Sequence, residues 1–130
     1  WEMLRLNPND NQGVRYLLLN WLLECGDDAQ VKKLLVRHPD DAGAEWLYGR
    51  ALHAFRTEGD TKRARSLRAE AERANPRVPV YLQGRKRLPA MLPPTIGFGD
   101  ESEAIVCAAE QRTAWLNTPG ALAWLDKPAR

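Results

Sequence analysis

The chain has 130 residues, 44% of them hydrophobic and 28% charged, and carries a formal net charge of +2. That size and balance suit one globular domain with a modest core, and they exclude a disordered or collagen-like chain. No apolar run approaches the roughly 20 residues of a membrane-spanning helix, and no secretory-type apolar segment opens the sequence. Cys25 and Cys107 are too few and too far apart for a disulfide framework or a zinc motif. They are expected to be buried free thiols in a reducing, cytoplasmic compartment.

In chain order, Trp1, Leu4 and Leu6 followed by Asn7-Pro8 read as the end of a helix whose beginning lies upstream. Asn11 to Cys25 is the first clear helix, with Tyr16, Leu19, Leu22 and Leu23 at helical spacing. Gly26 stops it, and Asp27 or Asp28 caps a short helix carrying Val31, Leu34 and Leu35, which His38-Pro39 ends. Ala44 to Thr57 follows, with Leu47, Tyr48, Ala51 and Phe55 as its stripe. Gly59-Asp60 breaks and caps again, and Thr61 to Ala74 is its partner. After Pro76 a short helix over Val78 to Gln83 tolerates Pro79 in its first turn. A loop with Pro89, Pro93, Pro94, Gly97 and Gly99 then leads to Asp100 and Glu103, an acidic capping box that opens a helix through about Leu116. Thr118-Pro119 starts a last short helix with Leu122, Trp124 and Leu125, ended by Lys127-Pro128.

The most specific pattern is Gly59, Ala64, Ala71 and Pro76, a turn glycine, two small residues two turns apart and a stop proline. Small side chains on one face let paired helices approach closely. The turn glycines Gly26 and Gly59 stand 33 residues apart, against about 34 in the tetratricopeptide repeat, which this spacing resembles. The prolines Pro8, Pro39 and Pro76 are spaced 31 and 37 apart, and Val31 stands where the second unit has Ala64, so the first repeat is a degenerate one. The last 56 residues or so carry a narrower resemblance. Asn75-Pro76 through Leu82, Gly99-Asp100-Glu101-Ser102-Glu103-Ala104-Ile105, Trp115 and Gly120-Ala121-Leu122 are similar to a segment of the suppression of tumorigenicity 7 family and related bacterial repeat proteins. What that resemblance implies is a helical-repeat scaffold without attached chemistry.

The expected fold is all-α, a tetratricopeptide-like antiparallel helix-pair solenoid over residues 1–84, its first pair incomplete. A proline-rich loop and helical cap over 85–130 then pack on the last repeat. In such an array the first helices line a concave groove, and stacking on a neighbour is required to bury each unit's apolar face. Aligning the units on their turn glycines places Tyr16, Asn20, Trp46, His53 and Arg56 in that groove, beside Gly13, Leu23, Glu24 and Gly49. Tyr, Trp and Arg dominate binding hot spots, and an Asn amide can grip a peptide backbone. The competing reading makes Tyr16 and Trp46 packing residues and Arg56 a solvated charge. Asn20 stands where chaperone-binding repeats keep an asparagine for a C-terminal carboxylate, but Tyr16 replaces the accompanying lysine.

The sequence offers no catalytic constellation. Ser66, Ser102 and the cysteines lack a base at legible spacing, and His38 and His53 lack the spacing of metal ligands. No enzyme, cofactor or metal is expected. Charge is unevenly spread: residues 56–87 hold ten Lys/Arg against four Asp/Glu, and 98–126 hold five acids against Arg112. Arg85, Lys86 and Arg87 beside Tyr81 form a candidate basic patch for phosphates, unless the basic and acidic segments dock on one another. The function these features predict is a non-enzymatic protein-interaction scaffold binding a peptide or partner helix in the groove. The alternatives are a nucleic-acid-binding domain using the basic stretch, or a purely structural C-terminal cap of a longer repeat protein.

Overall fold

A computed structural model describes residues 12–93, 97 and 99–126; the expectations for Trp1 to Pro8, Pro94 and Lys127-Pro128 lie outside them. The described residues form helices and no strands: α1 (Gln12–Cys25), α2 (Asp28–Arg37), α3 (Ala44–Glu58), α4 (Lys62–Ala74), α5 (Val78–Leu82), α6 (Glu101–Leu116) and α7 (Ala121–Leu125). The chain is thus all-α. Helices α1 and α2 form one hairpin and α3 and α4 another, with α1 packed beside α3.

Local chemistry sets the helix ends. Gly26, at φ +74°, closes α1, its N–H reaching Leu23 and the N–H of Asp27 reaching Leu22. That pair of bonds satisfies two carbonyls left over at a helix C-terminus. The Asp27 carboxylate then accepts the N–H of Gln30 at the start of α2. In the second hairpin the cap is Thr61, whose hydroxyl accepts the N–H of Ala64, and not Asp60. Asp60 is instead drawn away to the indole N–H of Trp124, 2.9 Å from it. The expected Thr118-Pro119 helix start is also displaced: Thr118 donates back to the carbonyl of Ala114, and α7 begins after Gly120.

The α3–α4 contact is the most extensive between two helices. Ala64 and Ala71 are fully buried, as are Ala51 and Ala54 on α3, so alanines on both helices leave room for close axial approach. At the far edge Arg50 and Glu70 pair at 2.8 Å. The back of this hairpin is covered by α7. Trp124 lies between the Phe55 ring, 4.7 Å away, and the Trp115 ring, 6.5 Å away. Arg68, fully buried, stacks its guanidinium 5.0 Å from the Trp124 ring centre and donates to the Trp124 carbonyl at 2.5 Å.

Helix α6 is not stacked behind the last hairpin as a simple end cap. It packs on α1, α3 and α5, so it spans both hairpins on the side where their first helices lie. The layers are therefore α6, then α1 with α3, then α2 and α4 behind. Of the two thiols, Cys107 on α6 is buried and Cys25 is exposed, which corrects the expectation that both are interior. The cause is the end of α1, where Cys25 falls on the outward side beside Glu24 and Gly26.

Because Arg68 is a buried cation whose donors and flat face serve α7, Arg68→Met should cost about 2–4 kcal/mol. Chemical denaturation is the check, with Trp124 fluorescence expected to report early release of α7.

Candidate functional site

The surface shared by α1 and α3 is where the groove residues were expected, and it is occupied by the chain's own α6. Gly49, midway along α3, provides the close approach. A Cβ there would lie 2.8 Å from a Leu19 methyl, 3.3 Å from one of Leu23 and 3.4 Å from the Gln111 amide nitrogen. Three helices therefore converge on one missing side chain. The inner face of α6 matches it with Ala104, Cys107, Ala108 and Ala114, all buried.

Polar groups fix α6 in that place. Gln111, fully buried, donates from Nε2 to the Asn20 side-chain oxygen at 3.1 Å and to the Glu45 carbonyl at 2.6 Å. Its own oxygen accepts the Trp115 indole N–H at 3.3 Å. Asn20 completes the chain by donating to the Glu45 carboxyl at 2.9 Å. About two turns back, Glu103 accepts the N–H of Ala44 at 3.0 Å, the N–H of Gly99 at 2.8 Å and the Asn75 amide at 3.0 Å. Gly43 offers α3 no side-chain cap, so a carboxylate from α6 satisfies an N-terminal donor of α3. The capping box expected of Asp100 and Glu103 is thus half formed. Asp100 accepts the N–H of Glu103, while Glu103 itself reaches to Gly99 and to another helix.

These bonds gather acids in a poorly hydrated place. Asp41 accepts from Arg15 at 2.7 Å, from the Tyr16 hydroxyl at 2.7 Å and from the N–H of Gly43 at 3.0 Å. Glu45, only 8% exposed, is pushed up to about 7, first by burial and then by the charges of Glu110, Glu103 and Asp41, with the Asn20 hydrogen bond opposing. Burial, then the bond to Asp41, raises Tyr16 in the same way. The Cys107 thiol is also raised by burial, which leaves it a neutral packing group.

Of the expected groove residues, Asn20 faces α6 as described, and Gly49 and Leu23 line the same surface. Trp46 does not. It is fully buried between Tyr16, 6.0 Å away, and His38, 5.7 Å away, in the joint between the hairpins. His53 is likewise turned toward α2, its Nδ1 3.3 Å from Asp28, and burial lowers its basicity more than that contact restores it. Arg56 is half-buried, donating to the Leu23 carbonyl at 2.8 Å and pairing with Asp28 at 3.2 Å. Tyr16 is half-buried. These four residues join the two hairpins; Asn20 is the member of the five placed against α6. The physical reason is angular. Each helical step turns about 100°, so Glu45 and Gly49, four residues apart, share the α6 side while Trp46, one step from Glu45, points into the joint.

Glu45, Glu103 and Gln111 are the site residues that sequence reasoning missed. A polar residue inside the small-residue stripe of α6 was the available signal, since Gln111 falls one turn after Cys107 and one before Trp115. The basic patch also reads differently in three dimensions. Arg85 pairs with Asp126 at 3.0 Å and Lys86 with Glu101 at 2.5 Å, leaving Arg87 as the exposed member without such a bond. Basic and acidic segments do dock on one another. Among the described residues no group of three or more His, Cys, Asp or Glu is placed to hold a metal ion. No helix described is long and apolar enough to cross a membrane. No protein family, no characterised protein and no solved structure matches this chain.

Replacing Gln111 with Ala leaves the Asn20 oxygen without its donor, takes a second donor from the Glu45 carbonyl and opens a small void, so a loss of about 2–3 kcal/mol is expected. Gln111→Glu should lose at least as much, because it removes the donor and adds a carboxylate beside Glu45. Urea midpoints of the two variants against the parent chain test the order.

Proposed function

We propose that the chain is a non-enzymatic protein-interaction scaffold built from tetratricopeptide-like repeats. On this reading α1 and α3 are the first helices of successive units, and α2 and α4 are their second helices. Several observations support it. Gly26 and Gly59, 33 residues apart, both take positive φ at the turns of the two hairpins. Ala64 and Ala71 are buried in the hairpin interface, as close-packed helix pairs require. The observation that carries the reading is that the surface shared by α1 and α3 receives a complete 16-residue helix, α6. A groove able to hold one helix by shape and by a short set of polar bonds is suited to holding another of the same character. Its partner is then a helix or peptide with small residues over Gly49 and an amide opposite Asn20.

The apolar outer side of α1 supports a further helix pair before it in the array. Leu17 and Trp21 are 59% and 61% exposed there, on the side opposite Leu19 and Leu23. A repeat unit with such a face stacks on a neighbour. The free thiols suit a cytoplasmic setting. The nucleic-acid reading gains no support, since Arg85 and Lys86 are engaged by Asp126 and Glu101.

Affinity capture from cell extract with the full chain tests the scaffold reading. Gln111→Ala, which loosens α6, should increase recovery of groove-bound partners several-fold. Adding Gly49→Leu, which fills the floor of the groove, should cancel that gain. Recovery indifferent to both substitutions would remove the groove as a binding surface.

A further inference from the structure

We propose that α6 is a releasable occupant of the α1–α3 groove, and that protonation of Glu45 sets how firmly it is held, acid favouring the seated helix. The seating itself is a feature of the structure; its meaning as control of partner access rests on the scaffold reading above.

The contact of α6 with α1 and α3 combines small side chains with polar ones. The buried residues of α6 are Glu103, Ala104, Cys107, Ala108, Gln111, Ala114 and Trp115, shared among its contacts with α1, α3 and α5, and Gln111 and Glu103 carry its hydrogen bonds to α1 and α3. Small side chains bury little apolar area each, so this contact is held in large part by hydrogen bonds. Between Leu82 and Glu101 the described residues form no helix or strand.

Among the described residues no cation pairs with Glu45 under this helix. From α1 it faces Asn20, its hydrogen-bond donor, with Tyr16 and Arg15 beyond, both bound to Asp41. From the α2–α3 connection it faces Asp41 itself, and from α6 Glu103, Glu110 and the Cys107 thiol. Arg15 is the one cation in this set, and it pairs with Asp41 at 2.7 Å. Ionised Glu45 therefore meets like charge on the very helix that covers it. Lifting α6 removes Glu103 and Glu110 and admits water.

The direction of the effect follows from linkage. Seated, Glu45 titrates near 7, whereas in water it returns to the ordinary carboxylate range. The seated state thus binds the proton more tightly. Seating is firmest below the ordinary carboxylate range, weakens as pH rises toward about 7, and is level above it. Between about pH 5 and about pH 7.5 the open fraction of α6 should rise on the order of tenfold or more.

Hydrogen exchange on the intact chain reads this directly, with α4 amides as the internal reference for intrinsic chemistry and global unfolding. In the parent chain the opening of α6 relative to α4 should increase by that factor across the range. In Glu45→Gln it should stay near the acid value throughout, since the amide keeps an acceptor for Asn20 and cannot ionise. Should that variant fold poorly, Glu110→Gln on the half-buried flank of α6 should shrink the pH response while leaving the fold intact. A ratio that does not change with pH, a response that survives Glu45→Gln or Glu110→Gln unaltered, or α6 exchanging only in step with α4 would each overturn the proposal. Groove variants that leave partner capture unchanged while the exchange response persists would instead refute the scaffold reading and spare the latch.

Discussion

A buried glutamine amide has to find partners for its N–H groups and its carbonyl, and Gln111 finds them on α1, on α3 and within α6. This requirement ties three helices that are far apart in the chain, since Asn20 and Gln111 are 91 residues from one another. An unpaired amide in the same place would cost about 1–3 kcal/mol, a large share of the stability of a chain this size. Glu103 adds a second obligatory set about two turns away, joining the start of α3, the end of α4 through Asn75, and the turn at Gly99. Together they specify one lateral position and one rotation for α6. The alanines around them permit that position without selecting it.

The same arrangement explains where the charge goes. Basic residues collected over 56–87 meet acids of the tail in Arg85–Asp126 and Lys86–Glu101, and Arg68 is drawn inward by Trp124. The exposed pairs are worth little individually. The acids beneath α6 are different, because water is scarce there. Asp41 has Arg15 as counter-ion, whereas Glu45 has, among the described residues, the Asn20 hydrogen bond and no cation, and burial pushes it up to about 7. The unneutralised carboxylate Glu45 therefore lies beneath α6, whose buried face carries small and polar side chains. On the proposed function, that is also the helix standing where a partner would bind.

Much of the tail's motif order acquires a physical meaning from this geometry. Asn75, of Asn75-Pro76, donates to the carbonyl of Asp100 and to Glu103, both in the Gly99–Ile105 segment. Trp115 and the helix after Gly120 meet through Trp124. Elements that look scattered along 56 residues form one continuous lining over α3 and its hairpin turn. Their order was visible in the sequence; their mutual contact was not, because hydrogen bonds between residues 25 or more positions apart leave no periodicity to read.

The helices and most of their ends could be deduced from local rules alone. Gly26 and Gly59 mark turns because positive φ favours glycine, His38-Pro39 ends α2, and Asp27 and Asp100 cap because a carboxylate meets free N–H groups there. The small-residue stripe of Ala64 and Ala71 announced a close helix pair for an equally local reason. What each helix faces was decided only by assembly. Trp46 and His53 turned toward the joint between hairpins, while Glu45 and Gly49 turned toward α6, a difference of one or a few residues, each worth about 100° of rotation. That choice belongs to the tertiary structure because burial and hydrogen-bond satisfaction are summed over all the helices at once.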